Sequence, residues 1–434
     1  MFPPPPQRVV ITGVGLITPL GIDRESSWQG MKNGNRATRW LDPCDWDIQQ
    51  PRQYSQTRGM AAGAPAPMLR FCDDQISMGR GSDNALGINL AACDPVIQLA
   101  VCAAYEAMED AKLEVTHLNR NRIGCVVGTS KGGLRSFAQS FRHRLKHNVD
   151  FSAELWTQLF PNAPAAALSR LFDLRGPCLC PITACATGLA SLVRGAELIR
   201  TGYCDAVVVG STDASLQQVL LASFQRLGVL ARGFDDPETA CRPFDRHRNG
   251  FLVGEGAGML IMERSDCAAD RGAIPYAEWV SDGCVTDCAG LTQLEPQPHA
   301  LTRLIQDVLR RAELTSDEID YVNLHGTATI QNDICETRAL NAALGRSAQH
   351  VCCSALKGGI GHLLGSAGSV ELACTLLAMR DSTIPPTVNL DEQDVDCDLN
   401  FTPREPRRQR IENALKLSLG FGGHLIAAVV RKTQ

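Results

Sequence analysis

A chain of 434 residues is long enough for two domains or two fused halves. Its 44% hydrophobic and 21% charged content is that of a soluble globular protein, neither disordered nor fibrous. A formal net charge of −5 gives no basis for nucleic-acid or anionic-membrane binding, and no apolar run approaches the roughly 18 residues of a membrane span. The proline-rich residues 1–6 do not form a signal peptide, and the 18 cysteines are scattered without secretory or zinc-binding spacing, so a cytoplasmic protein with reduced thiols and no metal is expected.

Residues 8–15 predict a buried strand entering a glycine turn at Gly13 and Gly15. A dinucleotide loop would need a third glycine and an opening helix. Thr18 and Pro19 stand there instead, which removes the pyrophosphate cradle. Residues 42–87, rich in Pro, Gly, Gln and Asp without periodicity, predict an irregular surface excursion. Asp94 before Pro95 is an N-cap with proline at the first helical position, and Ile97, Val101, Ala104, Met108 and Ala111 give that helix its apolar face. Residues 122–128 predict a second buried strand, leading into Thr129, Ser130, Lys131 and two glycines. The basic run 142–147 has two readings, a solvated helix face or a docking patch for an acidic partner.

Residues 178–182 predict a short strand, and from Ala186 the apolar spacing of Leu189, Leu192, Val193, Ala196 and Ile199 predicts a helix stopped by Gly202. Between them sits Cys185. A thiol at a helix N-terminus faces unpaired N–H groups and the positive end of the helix dipole, both favouring the nucleophilic thiolate. The ordinary alternative, for any one of 18 cysteines, is a small core residue. Residues 205–210 predict the next strand, so that strand, helix and strand follow one another with short links, as in parallel α/β construction. The glycines of residues 250–258 predict close backbone approach in a layered core, since no Lys-Ser/Thr follows to make a phosphate loop.

The second half repeats this grammar. Residues 276–280 restart a strand, and Leu301, Leu304, Ile305, Val308 and Leu309 mark a helix. Residues 320–324 predict a strand delivering His325. Residues 351–355 predict another, delivering Lys357, three glycines and His362 before a helix through Val370, Leu372, Leu376, Leu377 and Met379. The repetition predicts an internal duplication, residues 1–271 carrying the cysteine and residues 272–434 the two histidines. Ligand sites of parallel α/β sheets collect at strand C-terminal ends, so Cys185, His325 and His362 are expected to share one pocket.

Over nearly its whole length the chain resembles the β-ketoacyl-acyl carrier protein synthases of the elongating, Cys-His-His kind, within the thiolase-like condensing enzymes. The resemblance rests on Thr183-Ala184-Cys185, Arg242-Pro243-Phe244-Asp245 and the Gly254-Glu255-Gly256-Ala257-Gly258 run. It continues through His325-Gly326-Thr327-Ala328-Thr329 with Asn332, Asp333 and Glu336, then Lys357 and His362 with Gly365-Ser366-Ala367-Gly368, and finally Gly420-Phe421-Gly422-Gly423. It implies an α/β thiolase-like fold of two similar halves in α-β-α-β-α layers. It also implies condensation of an acyl thioester on Cys185 with malonyl-acyl carrier protein, to give a 3-oxoacyl product in fatty acid or polyketide synthesis. By the same resemblance His325 and His362 stabilise the enolate, and the N–H groups of Cys185 and Phe421 form an oxyanion hole. Lys357, Asp333, Glu336 and Glu371 form a supporting network, Thr327 and Thr329 hold the pantetheine arm, and Phe421 and Phe224 line the entrance. No resident cofactor is implied, because the phosphopantetheine arrives on the acyl carrier protein. A homodimer is implied, with a heterodimer as the alternative.

Four positions depart from the family pattern. Gly358-Gly359 follow the lysine where Ser is usual, which predicts altered loop geometry, and His424-Leu425 replace Thr-Asn after the glycine loop. Lys131 stands where relatives carry an apolar residue at the floor of the acyl pocket. An ammonium there implies a short or polar acyl group, or pairing across a subunit interface, unless the side chain points elsewhere. Residues 87–92 lack the basic side chains that relatives offer to an acidic carrier. A thiolase would need a second cysteine within residues 417–424, which hold none, and a starter-unit synthase would carry Asn in place of His362. A non-catalytic partner subunit, the remaining alternative, would usually lack the nucleophile.

Overall fold

The computed structural model of the protein describes residues 7–41, 61–63 and 90–433. Ten strands form its main sheet. Five come from the first part of the chain: β1 (Val9–Ile17), β2 (Ile123–Gly128), β3 (Cys178–Leu179), β4 (Ala206–Asp213) and β5 (Gly256–Arg264). Five come from the second: β6 (Ala277–Thr286), β7 (Tyr321–Asn323), β8 (Cys352–Ser354), β9 (Asn413–Gly420) and β10 (His424–Lys432). The order across the sheet is β8-β7-β9-β10-β6-β1-β5-β4-β2-β3. Counted from its own edge inward, each group of five runs third, second, fourth, fifth, first. The first three of these are mutually parallel, and the last two are antiparallel to their neighbours. One topology is therefore used twice, and the two copies join where β1 pairs antiparallel with β6, Val9 opposite Trp279.

Strand alternation builds the layers. On β10, Ile426, Ala428 and Val430 enter a central core, whereas Leu425, Ala427 and Val429 enter an outer one. On β5, Leu260 and Met262 face the centre and Met259 and Ile261 face out. The outer layers are helices α1 (Pro95–Ala111) and α2 (Ala163–Leu171) on one side. The central layer is α3 (Thr187–Arg200) with its counterpart α6 (Ala367–Asp381), and the far layer is α4 (His299–Arg311) and α5 (Ile330–Leu344). The expected α-β-α-β-α architecture is present. The central helices touch at glycine: a Cβ on Gly188 would lie 2.5 Å from the Ser369 nitrogen, and one on Gly368 2.5 Å from the Leu189 nitrogen.

Asp94 caps α1 as expected, its Oδ1 accepting the Val96 N–H at 3.0 Å. The strand expected over 178–182 stops at Leu179. Most of the excursion expected at 42–87 falls outside the described residues. Its Ala61–Gly63 portion is not irregular but a strand, between Thr38–Trp40 and Val253–Gly254. The C-terminal hairpin of β9 and β10 had no sequence expectation beyond its glycine loop. The basic run lies on the helix Leu134–His147, which buries none of its side chains.

Candidate active site

Cys185 sits in a single 3-10 turn, Ala184–Ala186, between β3 and α3. Ala184 adopts a left-handed φ of 49°, which turns the chain sharply and brings the next side chain inward. The turn is braced by the Thr183 N–H donating to Thr187 Oγ1 at 2.9 Å and by Gly420, whose Cβ would fall 2.4 Å from the Thr183 carbonyl oxygen. The expected thiolate is not favoured in this state. Because α3 begins only at Thr187, Cys185 precedes the first helical turn, and burial pushes its thiol up to about 11. Lys131, Lys357 and the Phe421 N–H, which donates to the sulfur, oppose that rise without cancelling it.

His325 follows β7 in a loop that turns at Gly326 and Ala328, with φ of 45° and 62°. Glu336, on α5, grips this loop: Oε1 accepts the His325 N–H and Oε2 the Gly326 N–H, both at 2.6 Å. Asn332 donates to Glu336 at 2.8 Å and to Asp333 at 3.1 Å. Burial raises the Glu336 carboxyl to about 7, and that of Asp333 to about 6 against the pull of Arg248. Arg248 is itself buried, 3.3 Å from Asp333 and 2.5 Å from Asp394.

The two imidazoles meet edge to face, with ring centroids 5.3 Å apart. Lys357, in the short helix Lys357–Ile360, donates to the His325 carbonyl and lies 3.4 Å from His325 Nδ1. A donor at Nδ1 leaves that atom as acceptor and puts the ring proton on Nε2. His362 Nδ1 likewise accepts the Leu364 N–H at 3.3 Å, so its proton too resides on Nε2. Burial first, then the neighbouring lysine charges, hold both imidazoles well below the usual histidine range. They are neutral donors at physiological pH.

One cavity of about 440 Å³ is lined by Cys185, His325, His362, Thr327, Thr329 and Phe421 among others. It therefore gathers side chains from both topological copies. Thr327 and Thr329 share a hydroxyl hydrogen bond of 2.8 Å at its wall. Lys357, Asp333, Glu336 and Glu371 stand behind the lining as a buried network. Phe224 does not line this cavity. It packs edge-on against Phe251, which in turn packs edge-on against His362. Lys131 is absent from the lining as well: it donates to Ser130 Oγ at 2.5 Å and lies 3.9 Å from Asp213, so its partners are in its own chain.

The departures have local causes. A side chain at Gly358 would place its Cβ 2.2 Å from the Val388 carbonyl oxygen, so the backbone there tolerates only glycine, while His362 still lines the cavity and Lys357 stands behind it. His424 begins β10 opposite Gly420. Gly422 and Gly423, at φ of 92° and 81°, are pinned by Gly422 N–H to Leu291 O at 2.7 Å and Asp287 N–H to Gly423 O at 2.8 Å. Sequence reasoning missed Arg248 and Lys416. Lys416 is fully buried on β9 and donates to Glu371 Oε2 at 2.6 Å, opposite the 2.5 Å contact from Lys357 to Oε1.

Residues 6–268 match the β-ketoacyl synthase N-terminal domain and residues 276–391 the β-ketoacyl synthase C-terminal domain. The chain is 32% identical to 3-oxoacyl-[acyl-carrier-protein] synthase 2 of Synechocystis sp., over 99% of both chains. It is 35% identical to the tetracenomycin polyketide synthase ketoacyl synthase alpha subunit of Streptomyces glaucescens, over 99% of this chain and 98% of that one. A solved type II polyketide synthase acyl carrier protein in complex with its ketosynthase bound to the hexaketide superposes with a TM-score of 0.85 at 28% identity, over 99% of this chain and 100% of the matched one. With a thiolase-like fold and two neutral imidazoles facing a buried cysteine, this chain belongs to the β-ketoacyl synthase family of acyltransferases.

Proposed function

We propose that the protein elongates an acyl chain held on Cys185 with malonyl units delivered by an acyl carrier protein. The observation that carries this reading is the convergence of two Nε2–H donors on the cavity that contains the thiol. Cys185 Sγ attacks the acyl thioester, its proton passing to the departing carrier thiolate, and the acyl group moves to the enzyme. The malonyl thioester then enters, and loss of carbon dioxide leaves an enolate whose oxygen receives hydrogen bonds from His325 and His362 Nε2. The enolate carbon attacks the Cys185 thioester, and the Cys185 and Phe421 N–H groups hold the tetrahedral oxyanion until the sulfur leaves. Neutral imidazoles suit this step: they donate without giving up a proton that would quench the enolate.

The pantetheine arm of the carrier enters past Thr327 and Thr329, and no resident cofactor takes part. The helix Leu134–His147 and the segment after it expose Phe137, Phe141, Leu145, Phe151 and Trp156. A second copy of this chain covers that face, making the protein a homodimer, and the assembly works in the cytoplasm. The test is intact-mass measurement after exposure to a panel of acyl thioesters, then to malonyl-carrier protein. An adduct on Cys185 that discharges on malonyl addition supports the reading. No adduct with any donor overturns it and leaves a partner-subunit role. Elution at the mass of a single chain would overturn the homodimer.

A further inference from the structure

Behind the cavity, Lys357 is held by Glu371 and reaches His325, and a further buried lysine stands beside them without a task. Lys416 lies on β9, wholly inside the protein, where a lysine is costly unless its charge is matched. Its ammonium makes three contacts: Glu371 Oε2 at 2.6 Å, the Leu417 carbonyl at 2.7 Å and the Leu324 carbonyl at 3.4 Å. Leu324 is the residue before His325, and Leu417 lies on the strand that ends at Gly420, one residue before Phe421. Glu371 thus gives one oxygen to each lysine, and Lys357 turns its remaining bonds onto the His325 carbonyl and ring.

We propose that Lys416 is a positioning residue of the catalytic centre, its ammonium clamping Glu371 from the side opposite Lys357 and so aiming Lys357 at the His325 ring. The clamp also sets the charge of the site. Two lysines sharing one carboxylate leave one net positive charge against two imidazoles that must stay neutral. The charged groups facing those rings are Lys357 from its short helix, Lys416 from β9, Lys131 from the loop after β2 and Glu371 from α6. The nearby carboxylates of Glu336 and Asp333 from α5 and Asp213 from β4 are engaged by backbone N–H groups, Glu336 by those of His325 and Gly326, Asp333 by that of Phe244 and Asp213 by that of Gly365. Lys357 and Lys416 both oppose charging of His325 and His362, Lys131 opposes that of His362, and His362 opposes that of His325. Deleting the Lys416 charge takes the triad from net positive to neutral and makes protonation of a histidine easier.

This inference rests on the proposed elongation chemistry, but its first readout does not depend on activity. In protein with isotope-labelled histidine, the imidazole resonances of His325 and His362, assigned by loss in His325→Gln and His362→Gln, report ring protonation directly. In wild type both stay neutral through and below the usual histidine range, held there by burial and the lysine charges. In Lys416→Met at least one titrates about one unit higher, the shift expected for removing a like charge at short range. The acid limb of malonyl-carrier decarboxylation moves up by the same amount, and Lys416→Arg restores both. Lys416→Gln, which keeps a donor to the Leu417 carbonyl, gives the same shift if the methionine variant folds poorly. Unshifted histidine titrations in Lys416→Gln, with activity reduced equally at every pH, would overturn the proposal and leave Lys416 a packing residue. A wild type with no decarboxylation at any pH would defeat the elongation reading instead, while the titrations would still decide the role of Lys416.

Discussion

Gly188→Ala tests whether the contact between the central helices sets the distance from nucleophile to histidines. The added methyl would lie 2.5 Å from the Ser369 nitrogen and 2.6 Å from Ser211 Oγ, a hydroxyl already bound to Ser369 Oγ at 2.6 Å. Neither atom is the free end of a flexible side chain, so the helices must separate. Alanine gains about 1 kcal/mol of helix propensity over glycine, and overpacking at such distances costs about 1–3 kcal/mol. The larger consequence is geometric. Three residues before Gly188 lies Cys185, and six before Gly368 lies His362, so separation moves the sulfur away from the donors. A misplacement on the order of 1 Å costs about 100-fold in rate when reacting groups must be aligned. Gly195→Ala is the control, because its methyl meets the Val209 side chain at 2.8 Å rather than backbone. Guanidinium unfolding and condensation rates with acyl- and malonyl-carrier substrates measure both terms. If Gly188→Ala is as benign as Gly195→Ala in stability and rate, the helix contact does not set the site.

Four further outcomes are expected. Alkylation of Cys185 by iodoacetamide should rise about tenfold per pH unit from 7 to 10, because a thiol that ionises near 11 is still mostly protonated there. Lys131→Met, which removes a charge favouring the thiolate, should slow alkylation at pH 9, and an unchanged rate would place Lys131 out of electrostatic reach. Arg248→Met leaves buried Asp333 facing only backbone and Asn332, and should destabilise the protein by about 3–5 kcal/mol in denaturant titration. Gly423→Ala places a methyl 1.9 Å from the Asp287 carbonyl at a left-handed backbone position. It should slow acylation of Cys185, followed by intact mass, more than it lowers the melting temperature.

The parts of the site legible in the sequence are those where a reactive side chain sits among glycines at the end of an apolar run: Cys185, His325, Lys357 and His362. Lys416 escaped for a physical reason. In Leu415-Lys416-Leu417-Ser418-Leu419 the alternation of apolar and polar residues looks like a strand with one wet face, yet both faces are buried. The polar face meets the central helices, where Glu371 waits, and a carboxylate 45 residues away leaves no local trace. The pairing of Lys131 with Asp213 is hidden in the same way. For Cys185 the helix starts one residue later than expected, at Thr187, and burial, which no local pattern shows, outweighs the groups that favour the thiolate. The duplication, by contrast, is legible in the repeated strand, reactive turn and helix of the two halves, although the strand order itself is not.

The paired glycines of α3 and α6 also bear on how the protein is made. The apolar face of α3 is covered by α6, and Leu192 and Ala196 share one core with Leu376 and Ile426. When residue 200 leaves the ribosome, the segment that covers it is still unmade until about residue 381. At roughly 5–20 residues per second, that is about ten to forty seconds of translation. Over that interval the nascent first half presents a sticky helix with a reactive cysteine at its head. The catalytic cavity has no existence before the second half arrives, so the helix is covered and the site assembled in the same closing event.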